Sequence, residues 1–395
     1  MAWMLQGCEL LPPDEPQTIA RALTATEQHA VEADNEFGLN LFRAVSEDEG
    51  PGNVFISPLS VSTALGMTLN GADGETKQEI KETLARAGLS DDEINESYRS
   101  LIDLLRGLDP EVVFEIANSI WYRDGFSVEQ EMLDANESYF DAEVQALDFG
   151  SSDALTTING WVADKTHGKI EEIIDAIDPM TMMYLINAIY FNGTWTYEFD
   201  EDATEQRAFT RLDGSQQDVP MMAQEIDLPY YETDEAQLVD LPYGDSLYSM
   251  TVILPRDSEN LDAIVEGLDQ ETWNDWTGRF EKRAVSLRLP RFQLEYEIEL
   301  KDILAALGME QAFDPNLADF TRINRGGDLY ISNVKHKTFV DVDEEGTEAA
   351  AVTSVEIRVT SAPQYVPVFV DRPFVFALRE RHSGTILFIG KIATL

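Results

Sequence analysis

Cysteine occurs once, at Cys8, so the chain has no partner for an internal disulfide. Basic residues are also scarce. There are 28 Lys+Arg, only 9 of them lysine, against 74 Asp+Glu, and the formal net charge is −46 at pH 7. That charge works against nucleic acid and anionic membrane surfaces as partners. No run of about 20 apolar residues is present, so no segment reads as a membrane-spanning helix. GxSxG, HExxH, P-loop and GxGxxG patterns are all missing. The four histidines, His29, His167, His336 and His382, stand at no metal-ligand spacing to one another. Close carboxylate pairs abound, but so many acids make them inevitable. The expectation is a protein that is not an enzyme, holds no cofactor or metal, and takes no small-molecule substrate.

What the chain does have is enough apolar material for a large core. It has 395 residues, 44% hydrophobic and 10% aromatic, too rich for a disordered acidic chain. The acids run along the whole length and do not form a tail. Self-repulsion at this charge is strong in dilute buffer and is screened when the Debye length falls to roughly 3 Å near 1 M salt. This points to a protein from a salt-adapted microbe. The first residues, MAWMLQGCELLPPDEPQ, are unusual. Leu5-Gln6-Gly7-Cys8 looks like the end of a lipoprotein signal, although the charged and apolar regions that should precede it are absent. On that basis residues 1–26 form a tail tethered by a lipid on Cys8, and the protein is extracellular or at the cell surface. With the start complete as given, it is cytoplasmic.

Taken in order, residues 27–46 read as an amphipathic helix and Asn53–Ile56 as a short strand. Ser57-Pro58 supplies an N-cap and a first-turn proline for a helix that is apolar nearly all round. Ser90 with Glu93 makes a capping box, and Ser127 with Gln130 repeats the device. Strands are expected at Val112–Tyr122, Glu143–Phe149 and Met180–Phe191, with a helix at 153–166 before the last. Residues 203–224, 237–255 and 284–296 are strand-rich and broken by Asp213-Gly214 and Tyr243-Gly244-Asp245 turns. Helices are expected over 259–280 and 298–307, the second stopping at Gly308. From Leu329 onward almost everything reads as strand. There is no repeat and no linker, so 27–395 is one α+β domain. Three glycosylation sequons begin at Asn95, Asn136 and Asn192.

Glu344–Thr360 alternates with period two. Thr347, Ala349, Ala351, Thr353, Val355 and Ile357 are small or apolar on one parity, and the other parity is mostly polar. Yet Gly-Thr-Glu-Ala-Ala-Ala is a poor strand former. The segment is either an edge strand running into a loop or a stretch that switches between the two. Two polar residues also sit among apolar neighbours. His336 shares parity with Val334 and Thr338, which suits a satisfied core histidine, and Asn187 interrupts the Met180–Phe191 run. Ser57, Ser60, Asn187 and His336 have the donors and acceptors to satisfy one another.

These stretches together resemble the serpin family, over about residues 27–395. NVFISPLSVSTA at 53–64 is similar to its buried second helix, NAIYFNGTW at 187–195 to its third main-sheet strand, and HKTFVDVDEEGTEAAA at 336–351 to its fifth strand and hinge. FVDRPFVFAL at 369–378 matches its C-terminal signature. The resemblance implies three β-sheets, eight or nine helices and an exposed reactive loop at about 345–364. It implies a monomer that acts as a suicide inhibitor of serine proteases in a covalent complex, the cut loop entering the main sheet. By resemblance the hinge is Glu344, Gly346, Thr347, Ala349, Ala350 and Ala351. The buried polar cluster is Ser57, Ser60, Asn187 and His336, and the top of the sheet holds Trp195 with a Glu344–Arg291 salt bridge. Family spacing puts the scissile bond at Thr360-Ser361, with Arg358-Val359 as competitor. The first suits subtilisin-like or elastase-like enzymes, the second trypsin-like ones. A non-inhibitory member with a chaperone, carrier or storage role, or a cell-surface interaction module, is the alternative. Small residues throughout the hinge favour inhibition.

Overall fold

The run Met180–Phe191 lacks alternation because the strand it forms is covered on both faces. In the computed structural model, which describes residues 22–347 and 364–395, that strand is β4, Met183–Thr194. Ile186 and Ala188 face a small core with Trp121, Ile158 and Trp161, while Ile189 and Phe191 face the main core. Met180 stands before the strand and is exposed.

The chain enters through α1 (Ala25–Glu49), β1 (Val54–Ile56), α2 (Pro58–Leu69), α3 (Gly74–Thr83) and α4 (Asp91–Leu105). Next come β2 (Val112–Arg123), α5 (Gln130–Phe140), β3 (Ala142–Leu147), α6 (Ser152–Lys165) and then β4. A strand-rich region follows, with β5 (Glu205–Thr210), β6 (Gln216–Glu232), β7 (Ala236–Tyr243) and β8 (Tyr248–Pro255). After it lie α7 (Leu261–Gly267), α8 (Gln270–Gly278), β9 (Glu281–Pro290), β10 (Phe292–Glu299), α9 (Lys301–Ala306) and α10 (Glu310–Phe313). The chain closes with β11 (Lys335–Val342), β12 (Gly346–Thr347), β13 (Val366–Phe369), β14 (Phe374–Glu380) and β15 (Ile386–Ile392). Leu329–Val334, expected as strand, is irregular.

The strands form a six-stranded sheet in the order β10-β11-β12-β4-β2-β3, and a nine-stranded sheet in the order β1-β15-β14-β8-β7-β6-β9-β13 with β5 on β6. The 17-residue β6 belongs to two parts of the larger sheet. It pairs with β7 at Tyr230–Glu232, and with β9 and β5 along the rest. The third sheet implied by the resemblance is thus the β5-β6-β9-β13 part, joined to the second through β6. Helix caps behave mostly as their side chains dictate. Ser57 accepts from the Ser60 N–H, with Pro58 in the first turn, and Ser90–Glu93 closes a capping box. Thr24–Glu27 closes another at the start of α1. Ser127 does not cap α5: Glu129 holds that position without a side-chain bond, and the Ser127 carbonyl accepts from Asn324 instead.

Two of the three sequons are closed to glycosylation in this fold. Asn95 and Asn136 are 3% and 0% exposed. Asn70 donates to both amide oxygens, at 3.0 and 3.1 Å.

Candidate functional site

The site forms where β11 turns back towards β4. β11 pairs with β10 along its length, Phe292 opposite Val342 down to Glu299 opposite Lys335. At Asp343 the chain reverses. The Asp343 carboxylate accepts from the N–H groups of Glu345 and Gly346, at 3.0 and 3.1 Å, a side-chain turn of the kind aspartate favours. Gly346 and Thr347 then run between β11 and β4, with Gly346 opposite Thr194 and Thr347 opposite both Gly193 and Val342. Among the described residues, nothing else stands between β4 and β11.

Gly346 has a steric reason to be glycine. A Cβ there would lie 2.1 Å from the Gly193 carbonyl oxygen, far inside contact distance and against backbone that has nowhere to go. Thr347 is 2% exposed, and its hydroxyl shares a 2.6 Å hydrogen bond with the Tyr243 hydroxyl. Burial raises the Tyr243 phenol well above its ordinary range, so it stays neutral. Trp195 stacks on Tyr243 with centroids 4.2 Å apart and donates its indole N–H to the Asp343 carbonyl. The Trp195 and Phe199 N–H groups take the Glu345 and Glu344 carbonyls. Glu344 is buried, and its carboxylate contacts Arg291 and accepts from the Thr204 hydroxyl at 2.6 Å. Burial pushes that carboxyl up, but Thr204 and Arg291 outweigh it, and the net displacement is downward. Trp195, Glu344 and Arg291 therefore meet at the hinge, together with Tyr243 and Thr204, which the sequence did not single out.

Lower in the sheet the polar residues divide into two groups. His336 is buried and its Nε2 accepts from the Ser57 N–H at 3.0 Å; the Ser57 hydroxyl accepts from Ser60 N–H and donates to the Leu387 carbonyl. Two residues on, Thr338 donates to the Phe55 carbonyl at 2.6 Å. These bonds tie the inner face of β11 to β1 and the start of α2. Asn187 is not part of this group. Its amide donates to Asn118 Oδ1 at 2.7 Å, Asn118 in turn donates to the Phe140 carbonyl, and the Asn187 Oδ1 has no partner. The reason is register: Asn118 sits directly opposite Asn187 in the β2–β4 pair. The expected four-residue cluster is thus a Ser57–Ser60–His336 group and a separate asparagine pair. Beside Thr347 lies a cavity with about 20 Å³ of water-accessible space. Ile189 and Phe191 of β4 and Phe339 and Val340 of β11 line it, and the Lys169 and Ile170 segment after α6 covers it.

Burial holds the His336 imidazole down at about 4, below the ordinary 6.5. The unfolded chain therefore takes up a proton first as pH falls. The contribution is complete above about pH 6.5 and lost on the way down through 4, about 3 kcal/mol in all. Urea unfolding of the protein and of His336→Gln, compared at neutral pH and near pH 4 in one salt, checks this. The wild type should lose more stability by about that amount, and equal losses would refute it.

Cys8 and the loop residues Ala349, Ala350, Ala351, Arg358, Val359, Thr360 and Ser361 lie outside the described residues.

A strand pair opened by the first residues of a hinge, with a buried histidine beneath and a tryptophan above, defines a class of protein. Residues 32–395 match the profile of the Serpin (serine protease inhibitor) family. The chain is 35% identical to Iripin-5 of Ixodes ricinus over 369 residues, 91% of this chain and 93% of that one. It is 35% identical to neuroserpin of Gallus gallus over 364 residues, 89% and 88% of the two chains. The native-state crystal structure of the thermophilic serpin tengpin superposes with a TM-score of 0.85 at 33% identity, covering 95% of this chain and 96% of that one. The chain belongs to the serpin family.

Proposed function

We propose that this protein is a suicide-substrate inhibitor of serine endopeptidases, of the subtilisin-like or elastase-like kind. The protease serine attacks the Thr360 carbonyl, the peptide bond to Ser361 breaks, and the new amine leaves with the C-terminal peptide. The ester left on the enzyme is then trapped as residues after Thr347 enter the sheet between β4 and β11. One observation carries this: Gly346 and Thr347 already sit between those strands, in register with both. Continuing that alternation puts Ala349, Ala351, Thr353, Val355 and Ile357 on the face of Thr347. Each added backbone hydrogen bond nets about 0.5–1.5 kcal/mol, which the about 1–2 kcal/mol of entropy per ordered residue cancels. Burial of Val355 and Ile357, about 1.5–3 kcal/mol each, tips the balance. Small residues at the start let insertion outrun hydrolysis of the ester. We take the inhibitor to act as a monomer outside the cell, held at the surface where Cys8 carries a lipid.

The test mixes the protein, in high salt, with subtilisin-, elastase- and trypsin-type proteases, and looks for a complex that survives SDS. Sequencing the released peptide should give Ser361 first. Val359 first would move the scissile bond to Arg358 and the target to trypsin-like enzymes. Cleavage by every protease with no complex would sink the inhibitory proposal.

A further inference from the structure

The Tyr243 hydroxyl that meets Thr347 belongs to the last residue of β7, at the mouth of a tight turn into β8. The hairpin closes by itself. Tyr243 pairs with Tyr248, and the Ser246 N–H donates to the Tyr243 carbonyl at 2.7 Å. That closure does not fix where the turn lies against the six-stranded sheet. An acid more than 130 positions earlier, Asp109, reaches across to it.

Asp109 lies in the connection between α4 and β2 and is 2% exposed. Among the described residues no cation pairs with it, and backbone donors surround it instead. Oδ1 accepts from the Glu111 N–H at 2.9 Å, Oδ2 accepts from the Asp245 N–H at 2.8 Å, and the Leu247 N–H reaches the carboxylate as well. The turn is shaped to receive this group. Gly244 has a φ of +47°, and a Cβ there would lie 2.6 Å from Oδ1 and 2.8 Å from Oδ2 of Asp109. Glycine thus serves both the left-handed backbone and the close approach. The far end of the turn is tied to the same connection, because the Tyr248 hydroxyl donates to the Leu105 carbonyl at 2.8 Å. On its other side the turn meets the end of β4, where the Gly244 N–H donates to the Thr194 carbonyl. Three residues after Asp109, Val112 stands opposite Gly193, and Gly193 stands opposite Thr347.

A buried carboxylate without a cation is unfavourable unless its hydrogen bonds are made, and bonds to an ionised acceptor are roughly twice as strong as neutral ones. The Asp245 and Leu247 bonds therefore hold the turn firmly in one place. Tyr243 opens that turn, and its hydroxyl has to stay within about 3 Å of Thr347 to bond it. We propose that Asp109 is a positioning residue for the hinge: through the β7–β8 turn it places the Tyr243 hydroxyl that holds Thr347 between β4 and β11.

Hydrogen–deuterium exchange on the uncut full chain tests it, read on the peptide carrying Gly346 and Thr347, with β11 as control. Asp109→Asn keeps the shape but removes the charge and one acceptor, and Tyr243→Phe removes only the hydroxyl. Each should speed exchange at the hinge by about threefold or more and leave β11 unchanged. Because Asp109 acts through Tyr243, the double variant should exchange no faster than the faster single one. Gly244→Ala pushes the turn off the carboxylate from the other side. It should reproduce the acceleration, and it decides the question if Asp109→Asn does not fold. Unchanged exchange at the hinge, equal acceleration in β11, or a double variant showing the product of the two single effects would each overturn the proposal. The consequence for trapping rests on the inhibitory reading above. The ratio of ester hydrolysis to insertion should rise by about threefold or more in both single variants, with the rate of loop cleavage unchanged. A wild type that forms no SDS-resistant complex would count against the inhibitory reading alone, since exchange is measured before any cut.

Discussion

Thr347→Arg is expected to turn the inhibitor into a plain substrate, cleaved at the same bond and at a similar rate but leaving no SDS-resistant complex. The argument is about the first side chain that must enter the sheet. Thr347 is 2% exposed between β4 and β11, its hydroxyl bonded to Tyr243 at 2.6 Å, with Phe191 and Val340 lining the cavity beside it. An arginine there would have to lose its hydration in an apolar slit that offers no carboxylate. The cost of an unpaired buried charge runs to several kcal/mol. Insertion competes with hydrolysis of the acyl-enzyme ester, so each ~1.4 kcal/mol added to the insertion barrier shifts the partition about tenfold. A shift of at least about 100-fold towards hydrolysis is therefore expected. Two readouts keep the result interpretable. Thr347→Ser, which retains the hydroxyl and the small volume, should trap as the wild type does. Cleaved wild type, its loop now a strand, should unfold at a higher temperature than the uncleaved protein, whereas cleaved Thr347→Arg should show no such gain. A Thr347→Arg protein that traps protease as efficiently as the wild type would show that trapping does not proceed through the slot between β4 and β11.

The parity of Glu344–Thr360 could be counted in the sequence, and for Thr347 the inward assignment matches its burial. Local chemistry was equally legible: Ser57 with Pro58, and Ser90 with Glu93, announce helix starts because a cap bonds within four residues. Ser127 shows the limit of that logic. Serine three residues before glutamine fits the motif, but a carbonyl contact from Asn324, 197 positions away, accompanies a different backbone path. Pairings set by sheet register were not legible at all. Asn187 looked available to His336, and only the β2–β4 register gives it Asn118. Tyr243 and Thr204 reach the hinge from 104 and 140 positions away, and nothing local marks either as a hinge contact, the sequence showing Tyr243 only as part of a turn. Gly346 was legible as a hinge residue by resemblance, but its steric cause, the carbonyl of Gly193, belongs to another strand.

Lowering the salt should destabilise this protein. With 28 bases for 74 acids, 46 carboxylates have no cation of their own even if every base is paired once. Several of the described bases are already shared. Asp91 is pushed up by burial, yet Lys77 and Lys81 bring it down to about 2, and Arg322 also reaches it. Lys335 serves both Asp175 and Glu297, and Lys337 lies beside Glu295. The remaining acids repel one another over distances that mobile ions must screen. The Debye length shrinks from about 30 Å at 0.01 M salt to about 3 Å at 1 M, so most of the relief arrives below 1 M. The unfolded chain spreads the same charges further apart and needs the salt less, so folding gains from each increment. We expect the apparent Tm to rise by roughly 10 °C or more between about 0.05 and 1 M KCl, and then to flatten. The shape of the curve separates screening from the other way salt stabilises proteins. Exclusion of ions from apolar surface grows steadily with concentration and does not saturate near 1 M. A Tm that is level below 1 M, or that climbs in a straight line through it, would remove the case for salt adaptation and leave the acidic surface to be explained by something other than screening.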